Sequence, residues 1–416
     1  HRGRAEALNN LSIAARLEDD ARGAERLAAR ALAAGVEGGD SLMVHDIAVT
    51  LGELALDRGD LEAAHTWFTR AAAAGTQEAS QRAGDIQNLG AVAARAGRLD
   101  DAERYFREGL ALSERTQAPD IAWATLLGLG DVAERRGDHA TALAFDRQAA
   151  AMIEALRAQQ GSERPSVRLL ARRLFAFEAL IHLLARLQPR YPDSAYAAEA
   201  FHWAERARAR AFLDLVAASG GEARRVEPLT LPEAQGLLHS DQEALLAYSV
   251  GDSSTSLWVL TRRAWRHFTL PPRKALRARA EILRRGLADP ATADARATHG
   301  AARALYRALI EPALPMLKGV EHLIVAPDGV LALVPFEALL AIDTEADGPP
   351  PRGAYLVERY AVSYTPSASA LATRASSAPT SGIIAVGDAA FAPDSGGAGA
   401  GAGPNLPRLP NTAAEI

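Results

Sequence analysis

The side chains able to do covalent chemistry are few, because the 416 residues contain no cysteine. A thiolate nucleophile, a disulfide and a thiolate metal site are therefore excluded for these residues. A hydroxyl nucleophile remains, since Gly251-Asp252-Ser253 follows the apolar run 244–250 and places a serine at the end of a predicted strand. The next segment, 257–261, also has strand character, so the turn chemistry of these residues favours a β-hairpin over a catalytic turn.

Two phosphate-binding patterns are excluded by their surroundings. Gly128-Leu-Gly130 has the spacing of a dinucleotide-binding loop, which must follow a strand, but both glycines lie in a segment with helical periodicity. A Walker loop needs a lysine followed by Ser or Thr, and neither Lys274 nor Lys318 is followed by one. We predict no cofactor and no metal for these residues.

The composition excludes several classes of function. With 48% hydrophobic and 23% charged residues, the chain is typical of a globular protein of two or three domains. A net charge of −5 provides no overall positive field, which disfavours generic nucleic-acid binding. The polar start and the lack of any run of about 18 uncharged apolar residues predict a cytoplasmic protein that does not span a membrane.

The first half of the chain repeats itself. Leucine-glycine pairs recur 38 and 40 residues apart, at Leu51-Gly52, Leu89-Gly90 and Leu129-Gly130. In each unit a second glycine follows, which can take the left-handed conformation that ends a helix. Asp60 and Asp138 directly follow such glycines and can accept the free amides of the next helix. The units are predicted to be helical hairpins, which bury their apolar faces only by stacking.

This pattern resembles the tetratricopeptide repeat, with loops longer than those of the usual unit of roughly 34 residues. A degenerate upstream unit contains Leu11, Ala24 and Leu27, and the amphipathic segments 169–187 and 195–216 are predicted to be the last helical pair. The first helices of such an array present polar side chains on a concave face to a protein or peptide partner. We predict partner binding at Gln87, Asn88, Arg95 and Asp131, whose alternative role is that of ordinary solvated helix residues.

After residues 219–221 the helical periodicity gives way to short β-type runs. We predict repeats over 1–218, a linker over 219–240 and an α/β domain over 241–416. The apolar run 322–326, closed by Pro327-Asp328-Gly329, is typical of a buried parallel strand. Because strands alternate with predicted helices at 273–287 and 301–317, the fold class is an all-α repeat array followed by an α/β sandwich with a mostly parallel sheet.

Four motifs in the second domain occur in a recognisable order. They are residues 322–329, Leu333-Val-Pro-Phe-Glu-Ala-Leu339, residues 355–369 and Ile384-Ala-Val-Gly-Asp388. In this order they resemble the CHAT domain, a caspase-like fold that is usually preceded by tetratricopeptide repeats, and the resemblance covers roughly 240–416. It implies a bacterial cysteine endopeptidase of the caspase and separase clan, in which a His-Cys dyad cleaves protein substrates. It assigns no catalytic residue here, because both catalytic blocks would fall beyond Ile416.

One segment has the sequence of the family's histidine block but lies in the wrong place. Residues Ala297-Thr298-His299-Gly300 precede the Pro-Asp-Gly strand instead of following it, and no buried strand leads into them. We therefore interpret His299 as a residue near a helix start. Four further residues match the family's motifs and are predicted to shape the strand end and its turn: Asp328, Pro335, Phe336 and Glu337.

Three functions follow from these patterns. The first is the regulatory and N-terminal portion of a caspase-like cysteine endopeptidase, with repeats that bind a partner or activator controlling the protease domain. The second is a catalytically inactive interaction scaffold, which the absence of cysteine favours if Ile416 is the true end of the protein. The third is an esterase, because Gly251-Asp252-Ser253 resembles the nucleophile block of the GDSL hydrolases, although no histidine has an aspartate three residues before it.

Overall fold

A computed structural model describes residues 2–17, 20–74, 78–160, 167–218, 228–289, 294–341 and 352–374. The chain divides into two compact units, 1–371 and 372–416, and every contact given below lies within the first. The helices are α1 Arg2–Leu17, α2 Ala21–Glu37, α3 Ser41–Arg58, α4 Leu61–Ala74, α5 Ala79–Arg95, α6 Leu99–Arg115, α7 Pro119–Arg135, α8 His139–Gln160, α9 Val167–Leu187, α10 Tyr196–Ala218, α11 Leu231–Gly236, α12 Arg273–Ala288, α13 Ala295–Leu309 and α14 Ala368–Arg374. The strands are β1 Glu243–Val250, β2 Thr255–Thr261, β3 Trp265–Leu270, β4 His322–Ala326 and β5 Ala361–Tyr364.

The predicted helical hairpins are present as α3–α4, α5–α6 and α7–α8, and α1–α2 forms the upstream unit. The glycines at the hairpin turns have left-handed φ values of 79°, 75° and 80° at Gly59, Gly97 and Gly137. Asp60 and Asp138 accept amide N–H bonds from the third residue after each of them, at 3.0 and 3.1 Å. The predicted helix-stop and helix-start chemistry is therefore confirmed.

Inside each hairpin the glycine of the first helix lies against one side chain of the second helix. A Cβ atom on Gly52 would overlap the ring of Phe68, and one on Gly90 would overlap the ring of Phe106. Both rings are buried, so the glycines allow close helix packing. In the third hairpin the corresponding contact of Gly130 is with a carboxylate, that of Asp146.

In the described residues, five strands form a sheet in the order β3-β2-β1-β4-β5. The pairs β1–β4 and β4–β5 are parallel, whereas β1–β2 and β2–β3 are antiparallel. The sheet is thus parallel through β1, β4 and β5 and is extended on one side by an antiparallel hairpin. Together with the helical array, this confirms the predicted fold class.

Alternate side chains of β1 enter two different cores, as the period of a strand requires. Leu246 and Tyr248 pack on the side of α12 and α13, whereas Leu245 and Ala247 pack with residues of α8, α9 and α10. On this second side the indole N–H of Trp258 donates to the carbonyl of Ala197 in α10 at 2.9 Å. The last predicted helical pair, α9 and α10, therefore covers one face of the sheet.

The second helix of the α/β region differs from its prediction over 301–317. The structure begins α13 at Ala295, because Asp294 accepts the amide N–H of Ala297 at 3.1 Å and so caps the helix earlier. The helix ends at Leu309, and a 3₁₀ helix, Glu311–Met316, follows where prolines occur at 312 and 315.

The predicted 219–240 segment contains α11, and its Leu231, Ala234 and Leu238 are buried. The domain boundaries themselves stay a prediction. The predicted strand at 383–387 and the Gly/Ala segment 395–403 lie outside the described residues. Within the described ranges, no helix combines the length and the apolar character needed to cross a bilayer.

Candidate functional site

The predicted partner-binding residues lie on two first helices that pack against each other, α5 and α7. Gln87 and Asn88 are half-buried and Arg95 is exposed on α5. Asp131 on α7 is bound by Arg135 at 3.0 Å, and the same arginine donates to the carbonyl of Ala94 at 2.7 Å. The structure therefore brings these residues onto neighbouring helices, and their binding role stays a prediction.

A polar stripe on α9 connects the repeats to the sheet. Glu178, His182 and Arg186 are four residues apart, so they share one face of the helix, and we call them the α9 stripe. Arg186 donates to Glu134 of α7 at 2.6 Å, and Glu178 accepts from Arg273 at the start of α12 at 2.9 Å. One helix face thus contacts both the third hairpin and the α/β region.

The contacts of Arg273 extend from the α9 stripe to the end of β1. Its guanidinium donates to Asp252 at 2.8 Å and to the carbonyl of Val250 at 3.1 Å. The amide N–H of Val250 in turn donates to the carboxylate of Asp328 at 2.6 Å. The Pro-Asp-Gly motif after β4 is therefore fixed to the same strand end that Arg273 binds, as predicted for a residue that shapes the strand end.

His182 is the buried centre of the α9 stripe. Only 6% of the residue is exposed, and neither ring nitrogen has a hydrogen-bond partner among the residues that the structure describes. Burial, together with the positive charges of Arg186 and Arg273, lowers the pKa of His182 to about 4, so the ring is neutral at pH 7. The imidazole lies directly against Gly251, where any side chain would overlap it.

A second contact joins α10 to the residues that follow β5. The carboxylate of Glu205, which is fully buried, accepts from the amide N–H and from the hydroxyl of Ser369, both at 2.8 Å. The Ser369 hydroxyl accepts the amide N–H of Leu229 at 3.0 Å. The guanidinium of Arg208 is 3.8 Å from Glu205. This buried network ties the last predicted repeat helix to the start of α14.

The motif residues of the α/β region bind one another. The hydroxyl of Tyr364 accepts the amide N–H of Phe336 at 2.8 Å and donates to Glu337 at 2.6 Å. Phe336 is fully buried, and its ring centroid lies 5.6 Å from that of Tyr248 in β1. The Leu-Val-Pro-Phe-Glu-Ala-Leu segment is thereby held between β1 and β5.

A buried ion pair joins the second and third units of the array, counted from the N-terminus. Nε2 of His45 on α3 lies 3.0 Å from Asp85 on α5, and Nδ1 lies 3.1 Å from Asp46. The hydrogen bonds with Asp46 and Asp85 raise the pKa of His45 to about 9. The imidazole is therefore charged at pH 7 and couples the two first helices.

Comparisons with known proteins agree with this geometry. The tetratricopeptide repeat family matches residues 82–155, and the CHAT domain family matches residues 299–416. The chain carries tetratricopeptide repeats and a CHAT domain. The CHAT match begins at residue 299, although β1, β2 and β3 precede it and form one sheet with β4 and β5.

Solved structures give further similarities, each over about half of the chain. BtubC from P. vanneervenii is 20% identical with a TM-score of 0.37, covering 50% of this chain and 80% of that one. PilF from Pseudomonas aeruginosa is 16% identical with a TM-score of 0.29, covering 48% and 96%. A STAND protein with a tetratricopeptide repeat sensor from Pyrococcus horikoshii is 12% identical with a TM-score of 0.32, covering 52% and 34%. These TM-scores are too low to support any further conclusion. No curated protein matches the chain.

Two motifs outside the CHAT pattern have ordinary positions. His299 lies in the second turn of α13, half-buried. Ser253 is exposed in the turn between β1 and β2, where the amide N–H of Gly251 donates to the carbonyl of Ser254 at 3.1 Å, so the predicted hairpin is confirmed. In the part of the chain that the structure describes, no group of three His, Asp or Glu side chains is arranged to hold a metal ion.

We expect Tyr364→Phe to destabilise the CHAT segment. The substitution leaves the amide of Phe336 without its acceptor and Glu337 without its donor, at a cost of about 1 to 2 kcal/mol. Urea unfolding of the purified chain measures this loss. Tyr191→Phe is the control, because Tyr191 is exposed. Equal stabilities of the two variants would contradict the assigned role of the hydroxyl.

We expect the stability of the repeats to fall between pH 6.5 and pH 9. The pKa of His45 is raised in the fold, so its contribution is complete below 6.5 and is lost as pH rises through about 9. We expect the free energy of unfolding to fall by on the order of 2 kcal/mol. This is less than the full effect of the pKa shift, because solvent screens the charge of half-exposed Asp46. Thermal melts at both pH values measure it. Asp85→Asn should reduce the difference between the melting temperatures at the two pH values, and the control Asp193→Asn should leave it unchanged. The same difference in the wild type and in both variants would contradict the assignment to His45.

Proposed function

We propose that this chain is the regulatory and N-terminal portion of a bacterial caspase-like cysteine endopeptidase, located in the cytoplasm. In this proposal the repeats bind a protein partner that controls the CHAT domain, and the substrate is a protein. The observation that carries it is the α9 stripe, because Arg186 binds the third hairpin while Glu178 binds Arg273 at the edge of the sheet. Family membership of the two segments supports the pairing of a binding array with a peptidase fold.

The proposed control is a change in the contacts of α9. A partner lying along α5 and α7 meets Asp131 and Glu134, both of which are bound to arginines. When the partner competes for Glu134, Arg186 is released and α9 is free to shift on the sheet that it covers. Such a shift also changes the contacts of α9 with Arg273 and with the end of β1. The contacts of α9 with the third hairpin and its contacts with the sheet are therefore coupled through one helix.

The chemistry of the proposed peptidase needs a thiolate nucleophile, an imidazole to activate it and amide donors for the oxyanion. The 416 residues contain no cysteine. The test therefore uses the product of the complete gene. Its peptidase activity is measured on a panel of protein substrates, with and without the partner that copurifies with it.

The decisive comparison uses a variant of the α9 stripe. We expect the partner to raise peptidase activity of the wild type but not of Arg186→Gln, which cannot bind Glu134 through a charged hydrogen bond. Arg104→Gln on α6 is the control, because its guanidinium is exposed. Equal activity with and without the partner in the wild type would remove the proposal.

The same assay separates the two alternatives. An inactive scaffold binds the partner and cleaves no substrate, with or without it. A GDSL-like esterase hydrolyses a generic ester and loses that activity in Ser253→Ala. The structure disfavours this esterase, because buried His182, which lies against Gly251, makes no hydrogen bond to any hydroxyl.

A further inference from the structure

A buried carboxylate occupies the place of an aromatic ring in the third hairpin. Phe68 and Phe106 each follow the packing glycine of their hairpin by 16 residues, and Asp146 follows Gly130 by the same distance. Its carboxylate lies against Gly130, as the rings lie against their glycines. Only 5% of Asp146 is exposed. An apolar packing position thus holds an ionisable group.

Asp146 has no partner for its charge. In the described part of the chain no hydrogen bond or ion pair is found at its carboxylate, on which Arg186 acts only through its charge, although a buried carboxylate is normally bound. Burial, together with the negative charges of Glu134 and Asp131 and against the positive charge of Arg186, raises the pKa of Asp146 to about 7. Part of the population of this carboxyl group is therefore protonated near neutral pH.

Three carboxylates converge at this point, and we call Asp131, Glu134 and Asp146 the acidic pocket. Gly130 and Glu134 are one turn apart on α7, so Glu134 lies on the face of the helix that Asp146 contacts. The nearby guanidinium of Arg186 is already bound to Glu134 at 2.6 Å, and Arg135 is bound to Asp131. Asp146 is the member of the pocket that these arginines leave unbound.

We propose that the acidic pocket binds an arginine side chain of the protein partner, an inference that rests on the proposed partner binding. A guanidinium carries a permanent charge and a planar set of donors that can bind two carboxylates at once. It would bind Asp146 and compete with Arg186 for Glu134. Occupation of the pocket thereby acts directly on the α9 stripe, and it fixes Asp146 in its ionised form.

The test is isothermal titration calorimetry of the 416-residue chain at pH 7 with the peptide acetyl-Gly-Arg-Gly-amide. Its citrulline analogue has the same shape without the charge. We expect the arginine peptide to bind at least tenfold more tightly than the analogue. Binding should release protons, because the pKa of the free carboxyl is raised and the guanidinium binds its ionised form. Titrations in two buffers with different ionisation enthalpies measure the number of protons released.

Two substitutions of Asp146 test whether its carboxyl group releases the proton and binds the arginine. Asp146→Asn keeps the shape of the side chain. We expect this substitution to lower the affinity for the arginine peptide at least tenfold and to abolish proton release. Asp146→Phe, which restores the residue type of the other hairpins, should do the same. Asp193→Asn removes an exposed carboxylate and should behave as the wild type. Circular dichroism confirms that each variant is folded.

Absence of binding, equal binding of the citrulline peptide, or unchanged binding by Asp146→Asn would overturn the proposal. These outcomes are separate from a failure of the proposed function. If the partner still activates the complete protein carrying Asp146→Asn, the pocket is excluded and the regulation stands. If the arginine peptide binds with proton release but activity does not depend on the partner, the pocket stands and the regulation is excluded.

Discussion

Glu205→Ala is expected to cost about 3 to 5 kcal/mol of unfolding free energy. The wild-type carboxylate is fully buried and accepts both donors of Ser369. Its loss leaves those donors unbound, and it leaves the guanidinium of Arg208, nine-tenths buried, without the carboxylate 3.8 Å away. Removing one member of a buried charged pair is far more costly than removing an exposed one. We therefore expect α10 to detach from the start of α14.

Urea unfolding followed by circular dichroism measures the Glu205 effect, and Glu62→Ala at an exposed position of α4 provides the control. Arg208→Met in the Glu205→Ala background removes the unpaired charge and should recover part of the loss. A double-mutant cycle over these proteins gives the coupling energy between the two side chains. If Glu205→Ala unfolds at the same urea concentration as the control, the buried network does not hold α10 to the sheet.

The sequence predicts the repeats well because their signals are local. The glycines at 59, 97 and 137 end helices because their backbone can adopt a left-handed conformation. Asp60 caps the next helix by accepting the amide N–H of the third residue after it. The hairpin at Gly251 also follows from turn chemistry within four residues. In each case the determining interaction lies within one turn of the chain, so pattern and structure coincide.

The contacts that matter for coupling are not local, and the sequence pattern does not reveal them. Glu205 and Ser369 are 164 residues apart, and Arg186 and Glu134 are 52 apart. The aromatic residue Phe145 directly precedes Asp146, so the aromatic pattern of the repeats indicates Phe145 and not Asp146, the residue that faces Gly130. Exact alignment of the three hairpins on their glycines is the signal that reveals it.

The start of α13 shows a different limit. The segment 295–300 has little apolar character, so hydrophobic periodicity places the helix start at residue 301. The cap formed by Asp294 begins the helix at Ala295 instead. A single side-chain bond to an amide can extend a helix through residues that have little hydrophobic periodicity.

Gly251→Ala is expected to destabilise the chain by about 2 to 3 kcal/mol. The new methyl group would overlap the imidazole of His182, which is buried on α9. Relief requires either the ring or the whole helix to move away from β1. Gly300→Ala is the matched control, because it lies in the interior of α13 with open space around it, and it should stabilise by about 0.5 to 1 kcal/mol.

His182→Ala decides whether the clash is the cause. In the Gly251→Ala background this second substitution makes room for the methyl group, so the double variant should be more stable than Gly251→Ala alone. Thermal unfolding of the four proteins gives the coupling energy. A value near zero would show that α9 does not press on the end of β1. A favourable coupling above about 1 kcal/mol would establish that α9 contacts the end of β1 through the ring of His182.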